Sequence, residues 1–146
     1  MAQFARPDAD TTLGNFEDDG GGTTDIFSTI DEVTPDDGDY IRSPVSPSAE
    51  VYVCRLSDVV DPVSSTGHVA RFRYSADQEG QETIEITREL RQGYVNEGDQ
   101  GTLIESKTVQ TNTQSWVTDA ETLSGAEADA IINYTDLFFR FVMTVV

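Results

Sequence analysis

The sequence predicts an all-β fold: an antiparallel β-sandwich of jelly-roll type, with one or two short helices and an extended N-terminal arm. Three observations lead there. Apolar and polar residues alternate with a period of two in several segments, so one side of each segment faces a core and the other faces water. Beyond residue 39, clusters of Gly, Pro, Asn and Asp interrupt the chain at intervals of roughly ten residues, the spacing of strands joined by turns. The exchange of strands with long amphipathic helices that builds a doubly wound parallel sheet is missing.

Residues 1–25 are polar and rich in Gly, Thr and Asp, with Gly20-Gly21-Gly22 as a break. A stretch so poor in apolar groups reads as an acidic arm, and residues 26–146 as the sandwich domain. Phe4, Leu13 and Phe16 stand isolated in the arm as anchors for a neighbouring surface, either of the same chain or of another subunit. Ordering a free segment costs about 1–2 kcal/mol per residue, so the arm is expected to become ordered only when bound. Ile26, Phe27 and Ile30 then fall at i, i+1 and i+4, which suits a helix of one or two turns capped by Thr24 or Asp25.

Residues 39–43 make a short strand, stopped by Pro44 and Pro47. Residues 50–57 form the next strand and residues 58–66 a loop. In residues 68–75, His68, Ala70, Phe72 and Tyr74 alternate with Val69, Arg71, Arg73 and Ser75. A turn at 77–80 leads to residues 83–92, where Ile84, Ile86 and Leu90 share one parity. Arg88 falls on that apolar parity, and a bulge or a strand end is predicted to remove the conflict. Glycines at 93, 98 and 101 mark a turn before a polar strand at 102–110, and residues 113–118 carry the single Trp116. Ser124 and Glu127 have the spacing of a capping box, which predicts a short helix over 123–131. The last strand, 136–146, is the most apolar and is expected to lie centrally.

At 146 residues the chain fits one domain able to bury a core without disulfides. With Cys54 as the single cysteine no intrachain disulfide can form, and its strand-like setting predicts a buried packing group. The net charge of −18, from 27 acids against 9 bases, argues against general nucleic-acid binding. Eleven of the acids lie in residues 1–40, beside a single base, Arg6. No apolar run approaches the ~20 residues of a membrane span, and the N-terminus lacks the hydrophobic core of an export signal.

Chemistry-bearing constellations are sparse. His68 is the only histidine, and no nucleophile stands at a recognisable spacing from it, so it reads as structural. One Cys and one His do not make a zinc site, and no phosphate-cradling glycine motif is present. Glu85 and Glu89 share a strand face but lie about 13 Å apart, beyond the separation of a glycosidase pair. No enzymatic activity and no cofactor are expected. Ca²⁺ is a lesser option at Asp36-Asp37-Gly38-Asp39 and Asp77-Gln78-Glu79-Gly80, which offer oxygen ligands on turns but lack the EF-hand pattern. Arg55, Arg71, Arg73, Arg88, Arg91 and Arg140 fall on predicted strands. They either share an exposed face that receives carboxylates of a neighbour, with Arg71 and Arg73 as its contacts, or pair across the sheet with acids such as Glu85 and Glu89.

Four strings carry a resemblance: Asp36-Asp37-Gly38-Asp39-Tyr40-Ile41-Arg42-Ser43; Val53-Cys54-Arg55-Leu56-Ser57-Asp58 with Asp61-Pro62; His68-Val69-Ala70-Arg71-Phe72-Arg73-Tyr74; and Gly125 to Ile131 through Tyr134-Thr135-Asp136-Leu137. From about residue 8 onward the chain resembles small virion structural proteins of tailed bacteriophages. The resemblance brings no catalytic motif. It implies a β-sandwich in a phage particle: a capsid decoration, or cement, protein that sits as an oligomer on the major capsid protein lattice and contacts other virion proteins. The alternative it leaves open is an adhesive or carbohydrate-binding module of a tail fibre or baseplate, for which Trp116, Tyr94 and Tyr52 are the candidate stacking platforms.

Overall fold

The computed structural model describes residues 2–77 and 81–146. Among these, the elements in chain order are β1 (Pro7–Thr12), β2 (Glu17–Asp18), a 3-10 turn (Ile26–Thr29), β3 (Ile41–Arg42), β4 (Glu50–Leu56), β5 (Val69–Tyr74), β6 (Ile84–Gln92), β7 (Thr102–Thr111), β8 (Val117–Thr122), α1 (Gly125–Asp129) and β9 (Leu137–Val145). The all-β prediction holds. An antiparallel five-stranded sheet in the order β1-β4-β9-β6-β7 forms one layer, and two ribbons, β2–β3 and β5–β8, complete the strand pairing.

β9 occupies the centre of the large sheet, as its apolar content requires. Leu137, Phe139, Phe141 and Met143 point into the main core with Tyr52, Cys54 and Leu90. Phe138, on the opposite parity, packs with Val53 and Tyr94 in a smaller cluster on the far face. The β5–β8 ribbon covers the main face: Ala70 enters the core, and the Phe72 ring lies 5.9 Å from Phe141. Lys107 Nζ meets Glu121 at 2.9 Å, joining the edge of β7 to β8. The strand of this region runs over Val117–Thr122, so Trp116 precedes it. That stretch is polar on both parities, and its placement is decided by its pairing with β5 rather than by a pattern of its own.

The N-terminal stretch is not a free arm. β1 pairs antiparallel with β4 along the sheet edge, with bulges on both sides of the Ala9–Asp10 pair. Gly14 then turns the chain with φ +55°; a β-carbon there would stand 2.3 Å from the Val51 carbonyl oxygen, so the turn requires glycine. The turn delivers Phe16 into the core at 1 % exposure, its ring 5.6 Å from that of Tyr52. The helix expected after residue 24 is a single 3-10 turn, and neither Thr24 nor Asp25 caps it by a side-chain bond. Asp10, on β1, does so from sixteen residues away: its two carboxylate oxygens accept the Ile26 and Phe27 amides at 2.8 and 3.0 Å, and Oδ1 also accepts the Tyr52 hydroxyl at 2.8 Å. One carboxylate thus ties the edge strand, the turn and the core together.

Arg88 corrects a second expectation. No bulge turns it outward; its side chain is fully buried on the inner face of β6. Its guanidinium binds Glu105 through two bonds of 2.6 and 3.0 Å and lies between the Phe72 and Phe139 rings, 5.7 and 5.4 Å from their centres. The bulge sits on the partner strand. Pairing passes from Leu90↔Glu105 to Arg91↔Leu103, so Ile104 is the extra residue, and both Ile104 and Glu105 are buried. The irregularity brings to Arg88 the carboxylate that an apolar environment demands. The capping box of α1 forms as predicted, with Ser124 and Glu127 bonded reciprocally.

Candidate functional site

The residues proposed as partner contacts separate into three groups. Phe16 is core, and Leu13 packs half-buried against it, so these two anchor the segment on its own chain. Arg73 is held by Asp37 through two bonds of 2.5 and 2.7 Å and by Thr118 at 2.9 Å. Phe4 and Arg71 alone come together, on opposite sides of a groove of about 520 Å³ at the end of the sandwich away from β2 and β3.

Four separate segments build this groove. Its floor is the inner face of the large sheet at Leu56, Leu90, Leu137 and Phe139. One wall is Val69-Ala70-Arg71, three consecutive residues of β5, a strand whose second edge has no hydrogen-bonded neighbour among the described residues. The opposite wall is Ala2–Ala5 with Val59, Val60 and Pro62. Gln3 holds that wall by exchanging two bonds with the Val60 backbone, at 2.8 and 2.7 Å. Phe4 and Val60 remain 60 % and 73 % exposed, and Val69 is 44 % exposed. A volume of this size is in the range of ligand and side-chain pockets, and apolar exposure around a concave site marks binding surfaces.

The polar groups of the groove are few. His68 Nε2 and the Tyr134 hydroxyl are 2.8 Å apart, while His68 Nδ1 is buried without a partner. Burial, with Asp61 and Asp129 nearby, pushes the Tyr134 hydroxyl above its ordinary pKa and keeps it protonated. Gln92 braces the loop before β9 by accepting the Ile132 and Asn133 amides, both at 2.8 Å. A smaller hollow of about 280 Å³ adjoins the groove, lined by Asp61, Ser64, Ser65 and Asp129.

Electrostatics single out the same end. Every base other than Arg6 and Arg71 is paired with a carboxylate. Arg55, for example, joins Asp8 and Asp58, and Arg140 joins Glu89 and Glu97. Arg55, Arg91 and Arg140 do share the outer face of the large sheet, but they are paired there within the chain rather than left for a neighbour's carboxylates. Arg6 and Arg71 have no ion pair among the described residues. Arg71 borders the groove, and the Arg6 guanidinium lies 5.9 Å from the Phe4 ring.

The remaining candidates are engaged elsewhere. Cys54 is fully buried, and burial pushes its thiol up to about 12, so it packs and does not react. Asp36 accepts the Gly38 amide at 2.8 Å, and Asp37 holds Arg73, which takes up two acids of the first Ca²⁺ candidate. Residues 78–80 of the second candidate lie outside the described residues. No group of three or more metal-ligating side chains gathers among the described residues. Of the aromatic platforms, Tyr52 and Tyr94 are buried, and Trp116 is half-buried beside Tyr40 and Arg73.

The groove itself was hidden in the sequence. Val59, Val60 and Pro62 read as loop and Phe4 as an isolated anchor, and no local pattern links segments more than fifty residues apart. The fold and the groove define a β-sandwich with an apolar, cation-edged cleft at one end. No protein-family model, curated protein or solved structure matches the chain.

Proposed function

We propose that the chain is a non-enzymatic binding protein that attaches to a larger assembly by the groove end. In the setting implied by its resemblance to phage virion proteins, that assembly is the head, the partner is the major capsid protein lattice, and the chain is an oligomeric decoration protein. The observation that carries the binding reading is the apolar groove of about 520 Å³, with Phe4, Val60 and Val69 left exposed around it in a chain of net charge −18. Burying an apolar side chain there is worth about 1.5–3 kcal/mol, a strong incentive for a partner to cover it.

Quantifying the protein in purified particles tests the setting. Hundreds of copies per head, whose removal lowers the head's thermal stability, are expected; a handful of copies refutes decoration. A Phe4→Asp/Val60→Asp variant should fold like the parent and fail to attach. The second reading, a glycan-binding module, draws on the Trp116–Tyr40 pair, whose ring centres are 6.0 Å apart. Glycan-array binding that disappears in Trp116→Ala would favour it.

A further inference from the structure

We infer that the free edge of β5 is a strand-docking site, where an extended segment of a partner pairs along Val69–Arg71, drops alternate apolar side chains into the groove and sets a carboxylate against Arg71. This deepens the binding reading above and rests on it, by naming the form and chemistry of the partner. Three independent observations meet at this edge.

β5 is bonded to β8 on one side only, so half of its backbone N–H and C=O groups face away from any strand among the described residues. Such groups are a template for another strand. The groove runs beside three consecutive β5 residues, as a hollow does along a strand edge rather than under a single side chain. Since successive side chains of an added strand alternate in direction, every second one would enter the hollow over Leu56, Leu90 and Phe139.

Charge selects the occupant. In a chain whose other bases are all matched to carboxylates, Arg71 borders this cleft and Arg6 lies beside Phe4, neither with an ion pair among the described residues. On a molecule of net charge −18, a segment dense in acids would be repelled over its length. The fitting occupant is therefore largely apolar and uncharged, with one acid opposite Arg71. The two free edges of the large sheet suit this role less well. β7 carries the Ile104 bulge and Lys107, and β1 begins at Pro7 and is broken by bulges, features that discourage strand addition.

The test uses the full chain and a synthetic peptide matching the six residues of β5 in length, alternating Leu with Thr or Ser and bearing a single Asp. Binding is read by titration calorimetry. Strand pairing engages alternate amides only. Backbone N-methylation on one parity of the peptide should therefore abolish binding, while methylation on the other parity leaves it within about twofold. Arg71→Glu should weaken binding about tenfold, as should Lys in place of the Asp. Thr108→Glu, on the β7 edge, should leave it unchanged. Equal tolerance of both methylation parities, an unaltered affinity in Arg71→Glu, or no binding of the parent peptide overturns the inference. Particle attachment, measured separately with the Phe4→Asp/Val60→Asp variant, reports on the broader reading. Attachment without peptide pairing leaves that reading intact and removes this one.

Discussion

The two ends of the sandwich start from similar material and finish differently. At one end the chain after β1 turns at Gly14 and returns over the sheet, placing Phe16 against Tyr52 and bringing Ile26, Ile30 and Ile41 to the same core. At the other, Ala2–Ala5 and the loop after β4 stand apart from β5 and leave a groove whose base is formed by Leu56, Leu90 and Phe139. Both ends take a phenylalanine from the same polar N-terminal stretch. Phe16 is 1 % exposed and Phe4 60 % exposed. An apolar residue in a polar stretch is therefore no guide to its fate; what decides is whether the following chain can turn back and cover it.

The most severe test of this contrast is a pair of truncations. Phe16→Ala should cost about 3–5 kcal/mol in chemical denaturation, because it opens a cavity at the closed end. Phe4→Ala should remain within about 0.5 kcal/mol of the parent. Comparable losses at both sites would erase the distinction between the ends.

Arg88 lies on the core face between the two ends. Arg88→Ala should destabilise by about 3–5 kcal/mol, most of it from leaving Glu105 buried and unpaired. A double variant, Arg88→Met/Glu105→Leu, should regain most of that loss. If the double variant is as unstable as the single one, the arginine is required for packing between Phe72 and Phe139 rather than for pairing.

Asp10→Ala sharpens the account of how the closed end is held. It removes the acceptor for the Ile26 and Phe27 amides and the Tyr52 hydroxyl, and should cost about 2 kcal/mol. Hydrogen exchange should then quicken at Ile26 and Phe27 and remain unchanged along β5.

The gentlest probe is pH. Burial pushes the Glu89 carboxyl up, but Arg91 and Arg140 outweigh it and hold the group below its ordinary value; the Arg140 hydrogen bonds do the same for Glu97. A lowered carboxylate pKa contributes stability that is complete above the ordinary value of 4.5 and is lost as pH falls through the lowered one. Arg140→Gln should thus be less stable than the parent at pH 7, and the difference should shrink as pH drops below 4.5. A difference that is constant with pH would mean that Arg140 acts through packing alone.

Much of the fold was legible because it is local. Alternation in residues 83–92 and 137–145 located β6 and β9, and the apolar weight of β9 put it at the centre of the sheet. The Ser124–Glu127 capping box is complete within four residues, so α1 could be read without any tertiary information. The harder features share one property: their partners are distant in the chain. Asp10 caps a turn sixteen residues away, Arg88 waits for a carboxylate on the next strand, and the groove draws on segments near residues 4, 60, 70 and 137.

By itself, the sequence determined the strand content, the central strand and the buried thiol, because side-chain periodicity and composition act over a few residues. Only the tertiary structure decided that the N-terminal stretch is an edge strand, that Arg88 belongs inside, and that Phe4 and Arg71 face one cleft. The physical reason is that burial and charge pairing are settled by what lies across space. A residue's neighbours in the chain carry no record of which strand will arrive beside it.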